Sequence, residues 1–159
     1  MTTDEKIQDI AVAKVRRSSR EPEGWLTTVI GELHLQLFGR FSLEPGELVL
    51  VSAYLNPESW YIFTTRRVVS RFAGETRSID PSRGFEARRG DFKGMGGKTR
   101  DVVTLSTPGG ETLRYEYETG YPSMAPIYAE RYWQLKHPIL HKLSGAPVRR
   151  NRVAGTTKG

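Results

Sequence analysis

The chain has 159 residues, 37% hydrophobic and 10% aromatic, enough for one core-forming domain with an added helical arm. The absence of cysteine excludes disulfides, thiol nucleophiles and thiolate metal sites, and no apolar run comes near the ~18 residues of a membrane-spanning helix. The net charge of +6 is unevenly placed: residues 1–24 sum to zero, whereas residues 145–159 carry +4 on Arg149, Arg150, Arg152 and Lys158 with no acid.

Thr2 and Glu5 have capping-box spacing at the head of a first helix, with Ile7, Ile10, Ala11 and Val15 on one face. This polar, acidic start is unlike the basic-then-apolar pattern of a signal peptide, so a cytoplasmic protein is expected. SSREPEG, residues 18–24, breaks the helix. Beyond it, Leu26, Ile30, Leu33, Leu37 and Phe41 recur at the spacings of a helix. LHLQL alternates as a strand does, and Gly31 and Gly39 weaken a helix. The helical reading makes residues 1–43 an N-terminal helical arm. Its apolar face should pack on the rest of the chain or on a second copy, giving a homo-oligomer.

Pro45-Gly46 ends the arm, and a run of strands follows at 48–55, 59–64, 67–72, 76–80, 85–88, 102–107 and 112–118. NPES, Gly74-Glu75 and PGGE supply turns. In the last strand Leu113, Tyr115 and Tyr117 alternate with Arg114, Glu116 and Glu118, as on a sheet with one wet face. A second helix is predicted from Ser123, with Met124, Tyr128, Tyr132, Leu135 and Ile139 as its apolar stripe. Pro138 should kink it and Ser144-Gly145 end it. Seven short consecutive strands closed by one amphipathic helix predict an α+β fold built on an antiparallel meander.

EPGELVLVSAYLNPESWYIFTTRRVVSRFAGETRSID, residues 44–80, resembles the bacterial pleckstrin-homology-like (PH-like) domains. The likeness rests on Gly46-Glu47 before a strand and on Thr64, Arg67, Val68 and Val69 at and after a hairpin. TGYPSMAPIYAERYWQLKHP would be the capping helix of that fold. The resemblance covers residues 44–143. It implies a seven-stranded antiparallel barrel or sandwich capped by the C-terminal helix. Residues 144–159 would be a basic, disordered tail. It also implies a fold used mainly for recognition. Eukaryotic relatives of the fold bind phosphoinositide headgroups through a basic loop between their first two strands. Here that loop is NPES, with Glu58 and no basic residue, which disfavours such binding.

No catalytic set is legible. GMGGKT, residues 94–99, fails as a phosphate loop, because the required first glycine is Phe92 and a strand follows where a helix is needed. His137 and His141 stand at helical spacing, but Pro138 lies between them and no third ligand is in view. No cofactor or metal is therefore expected. Arg66, at the tip of the TTRR hairpin, is one candidate for contact with an anion. The loop ARRGDFKGMGGKTR, residues 87–100, is the other, with Arg88, Arg89, Phe92, Lys93, Lys98 and Arg100. Its four glycines predict mobility, so it is either a recognition loop or a connector. Replacing Arg88, Arg89, Lys93 and Lys98 with serine should then spare the fold and weaken binding. The expected function is a non-enzymatic binding module making protein–protein contacts, with an acidic partner. The alternatives are electrostatic binding of nucleic acid through the tail and this loop, and an enzyme of unrecognised type.

Overall fold

The computed structural model describes residues 1–139. Expectations for the tail, for His141 and for the Ser144-Gly145 stop fall outside the described residues. Helix α1 is Thr3–Arg17, and Thr2 and Glu5 close the expected capping box. Ile7, Ala11 and Val15 are buried one turn apart, while Ile10 is 59% exposed and leaves the predicted face.

Strands β1 (Thr28–Ile30), β2 (Val49–Asn56), β3 (Ser59–Thr64), β4 (Val68–Phe72) and β5 (Glu75–Ile79) form one antiparallel sheet in sequence order. Strands β6 (Glu86–Arg89), β7 (Arg100–Ser106) and β8 (Thr112–Glu118) form a second. All seven predicted strands are present. The β4–β5 turn places Ala73 and Gly74 at positive φ (53° and 79°), the geometry that a tight two-residue hairpin requires. The sheets pack on each other and do not close into a barrel, one of the two forms expected. Among the described residues no ladder joins β1 to β8 or β5 to β6. A 3₁₀ turn at Pro81–Arg83 carries the chain from one sheet to the other.

The helix predicted over residues 25–41 is not formed. The β-branched residues of Thr28–Ile30 pair with β2 instead, and Gly31 and Gly39 take positive φ, which an α-helix does not allow. The helical spacing of the apolar residues has another cause. Ile30 enters the main core, whereas Leu37, with Leu33 and Phe41, packs on the opposite face of the first sheet over Val49, Trp60, Ile62 and Val69. Strand β3 is therefore covered on both faces, Tyr61 and Phe63 inward and Trp60 and Ile62 outward.

Helix α2, Met124–Lys136, lies with α1 against the main core and stops just before Pro138, whose ring disfavours helical backbone at the preceding residue. Its buried face holds Ala125, Ala129, Glu130, Tyr132 and Trp133, so the predicted stripe is rotated and Leu135 is 70% exposed. Leu135→Ala should therefore change the unfolding free energy by no more than about 0.5 kcal/mol, as at other exposed positions. A clear shift of the urea midpoint in this variant would place Leu135 in a contact that the fold does not show.

Candidate functional site

The TTRR hairpin tip is a structural clamp. Thr64 Oγ1 donates to Glu47 Oε2 at 2.5 Å, and Arg67 grips both Glu47 oxygens through Nε and Nη2 at 2.9 Å each. The Arg67 guanidinium also lies 4.7 Å over the Phe41 ring. Burial raises the Glu47 carboxyl pKa, but the bonds from Arg67 and Thr64 outweigh it and hold the group below its ordinary value. Thr65, beside Arg66 at the hairpin tip, is buried, and its hydroxyl donates to Asp4 Oδ1 at 2.6 Å. Arg66 bonds Asp4, Glu44 and the Pro45 carbonyl. Those bonds, Arg66 first and then Thr65, hold the Asp4 carboxyl below its usual range. Gly46 has φ 83°, and a Cβ there would come within 3.0 Å of Arg66 Nη2. The anion that Arg66 contacts thus belongs to its own chain.

The 87–100 segment divides. Arg89 points into the core and pairs with Glu130 of α2, which is 1% exposed and also accepts from the Tyr115 hydroxyl. Burial first, and then the Asp101 charge, push the neighbouring Tyr117 phenol up to about 12. Arg89 is consequently a core residue, and serine there would not spare the fold. Arg88 is on the outer face of the second sheet, opposite Thr104, and Arg100 begins β7 opposite Glu118. The turn between them is tied down rather than loose. Asp91 accepts from the Met95 and Gly96 amides, Gly120 N–H donates to the Phe92 carbonyl, and Thr119 donates to the Lys98 carbonyl. Asp101 accepts from the Val102 amide and the Asp91 amide, which together lower its pKa against the effect of burial.

Of the sequence candidates, the fold brings Phe92 and Lys93 into one groove of about 380 Å³. Its other walls come from distant segments: Ser18 and Arg20 beyond α1, and Gly120, Tyr121 and Met124 at the start of α2. Phe92 packs partly on the main core, while Tyr121 is 51% exposed. Arg20 stands 5.8 Å from the Tyr121 ring centre and Lys93 5.8 Å from that of Phe92. Neither cation forms an ion pair among the described residues. Met95, 85% exposed, stands in the adjoining turn. Sequence reading missed Arg20, Tyr121 and Met124, because only the folded chain brings their two segments to Phe92 and Lys93.

A second depression, between β4, β5 and β8, is lined by Ser70, Phe72, Glu75, Arg77, Thr112 and Arg114. Its charges are answered locally, Arg77 by Glu75 at 3.0 Å and Arg114 over the Phe72 ring. His137, once a candidate ligand, stacks on Trp133. No cluster of three or more His, Asp or Glu side chains suited to a metal ion occurs among the described residues. No helix among them is long and apolar enough to cross a membrane. No family model, curated protein or solved structure matches the chain.

Proposed function

We propose that the chain is a non-enzymatic recognition module on a PH-like scaffold, whose groove receives a protein segment carrying an apolar side chain beside carboxylates. The observation that carries this reading is that Arg20 and Lys93, two cations without an ion pair among the described residues, are each set by an aromatic ring in the same groove. The coupling of Glu47 to Thr64 and Arg67 supports the scaffold, since it joins in space the residues on which the resemblance rests. The two forces divide the work. An exposed ion pair contributes only about 0–1 kcal/mol. Apolar burial contributes about 25 cal/mol per Å² and supplies most of the affinity, while the cations select acidic partners and speed their approach.

The test is an NMR titration with an acetylated peptide of alternating glutamate and leucine or phenylalanine, beside one with a single-stranded oligothymidylate. The peptide is expected to shift the signals of Ser18, Arg20, Phe92, Lys93, Tyr121 and Met124, less so as salt rises. Shifts centred instead on Arg88, Lys98 and Arg100, and produced by the oligonucleotide alone, would overturn the reading in favour of backbone-driven nucleic-acid binding.

A further inference from the structure

Residues 34–41 make two successive turns over the outer face of the first sheet. Leu37, 0% exposed, anchors them on Val49, Trp60, Ile62 and Val69. Gly31 and Gly39, at φ 78° and 87°, supply the reversals before and after it. The His34 backbone ties the segment to β2: its N–H donates to the Ser52 hydroxyl at 2.8 Å, and that hydroxyl donates to the Glu32 carbonyl at 2.6 Å. The His34 side chain closes the 3₁₀ turn Leu35–Leu37. Its Nδ1 accepts from the Gln36 amide at 3.1 Å, the role that asparagine, aspartate or serine plays at the head of many helical turns. Leu37 N–H then donates to the His34 carbonyl at 2.9 Å, Phe38 N–H to Leu35, and Arg40 and Phe41 N–H to Leu37. A histidine in this place can accept only while it is neutral, with its one ring proton on Nε2.

We propose that this segment is a pH-sensitive latch, closed while the His34 imidazole is neutral and released when the ring takes up a second proton. Protonation turns Nδ1 into a donor, so two N–H groups would face each other across the 3.1 Å of that bond. Turning the ring away gives up its stacking on Tyr54, whose ring centre is 5.7 Å off. The surroundings do not favour an imidazolium. The β2 side chains beside it, Ser52 and the Tyr54 phenol, are uncharged at neutral pH. Arg40 lies 5.6 Å over the same Tyr54 ring and repels a second cation. The other charges are Glu32, two residues earlier in the chain, and the Glu58–Arg71 pair beside Trp60. No carboxylate forms an ion pair with His34 among the described residues. Partial burial accordingly holds the His34 pKa below its ordinary 6.5. The contribution of the latch is then complete above that pH and is lost as pH falls from there through the lowered value. Losing the cap weakens the hold on Leu37, so local opening uncovers Trp60 and Ile62 more often, while the main core on the opposite face keeps its packing.

The test is NMR of the full chain from neutral to mildly acidic pH, with wild type, His34→Asn and His34→Leu. Long-range nitrogen–proton correlations of the wild-type ring should show the Nε2–H tautomer at neutral pH and a titration midpoint below 6.5. The amide signals of Gln36, Leu37, Phe38 and Phe41 should move with that same midpoint. Their exchange protection should fall by about fivefold, the scale of one lost capping bond. Asparagine keeps an acceptor at this place and has no proton to gain, so the turn signals of His34→Asn should hold steady across the range. His34→Leu should show the lowered protection at every pH. An Nδ1–H tautomer, a midpoint at or above 6.5, or turn amides that do not follow the ring would each overturn the proposal on wild type alone. A pH response that persists in His34→Asn would overturn it as well. The groove reading does not depend on the outcome, since no residue lining the groove belongs to this segment.

Discussion

Arg67→Ala is expected to lower the unfolding free energy by about 3 kcal/mol at neutral pH, the scale for stranding one member of a buried ion pair. Its partner, the Glu47 side chain, is 0% exposed, and Arg67 supplies two of the bonds to it. For a chain of this size the loss corresponds to a fall in Tm of roughly 6–12 °C. The effect carries a pH signature. In the wild type the Glu47 pKa lies below its ordinary 4.5, so its contribution is complete above that pH and is lost as pH falls through the lowered value. Without Arg67, burial remains the main influence and raises the pKa, so the stranded carboxylate destabilises most when ionised. The gap between wild type and variant should therefore close below about pH 4.5 in urea titrations. A gap that stays constant from neutral to acidic pH would show that Arg67 acts through packing on Phe41 and not through charge.

The Arg89–Glu130 pair makes the second large prediction, and here the double variant is the informative one. Arg89→Met alone should cost about 3–5 kcal/mol, because it leaves the buried Glu130 carboxyl without its charge partner and, among the described residues, with the Tyr115 hydroxyl alone bonded to it. Glu130→Leu alone should cost a similar amount by stranding the Arg89 guanidinium, whose side chain is 14% exposed. Combining the two removes both charges and keeps the volume apolar, so the double variant should be more stable than either single one. Additive losses in denaturant unfolding would mean that the two side chains do not depend on each other.

The strands were legible because period-two alternation and turn residues coincide, as in Leu113–Tyr117 followed back through PGGE to β7. β1 was not, since three residues pairing on a sheet edge leave no periodicity, and apolar residues bound for two different cores happened to recur at helical spacing. The phase of α2 was misread for a similar reason. Leu135 was counted as core from hydropathy, whereas the buried face includes Glu130, a charge whose acceptability depends on Arg89 from another strand. The double arginine of the TTRR hairpin shows the same limit. Adjacent cations read as a candidate surface for an outside anion, but Asp4, Glu44 and Glu47 answer them from segments 20 to 62 residues away in sequence. The groove was half legible. Phe92 and Lys93 stood out as an apolar and a basic residue among glycines, while Arg20 and Tyr121 belong to it only through the meeting of α1, the 90–99 turn and the start of α2.

Selection of random peptides on the immobilised chain, run in parallel on wild type and on Arg20→Ser/Lys93→Ser, tests the groove most directly. Both substituted residues are exposed and unpaired among the described residues, so the variant should fold as the wild type does. The account predicts that wild type enriches peptides in which aspartate or glutamate flanks a large apolar residue, and that the variant loses affinity for them severalfold, on the scale of about 0–1 kcal/mol for each exposed ion pair removed. No enrichment on wild type, or enriched peptides that bind the variant equally well, would contradict it.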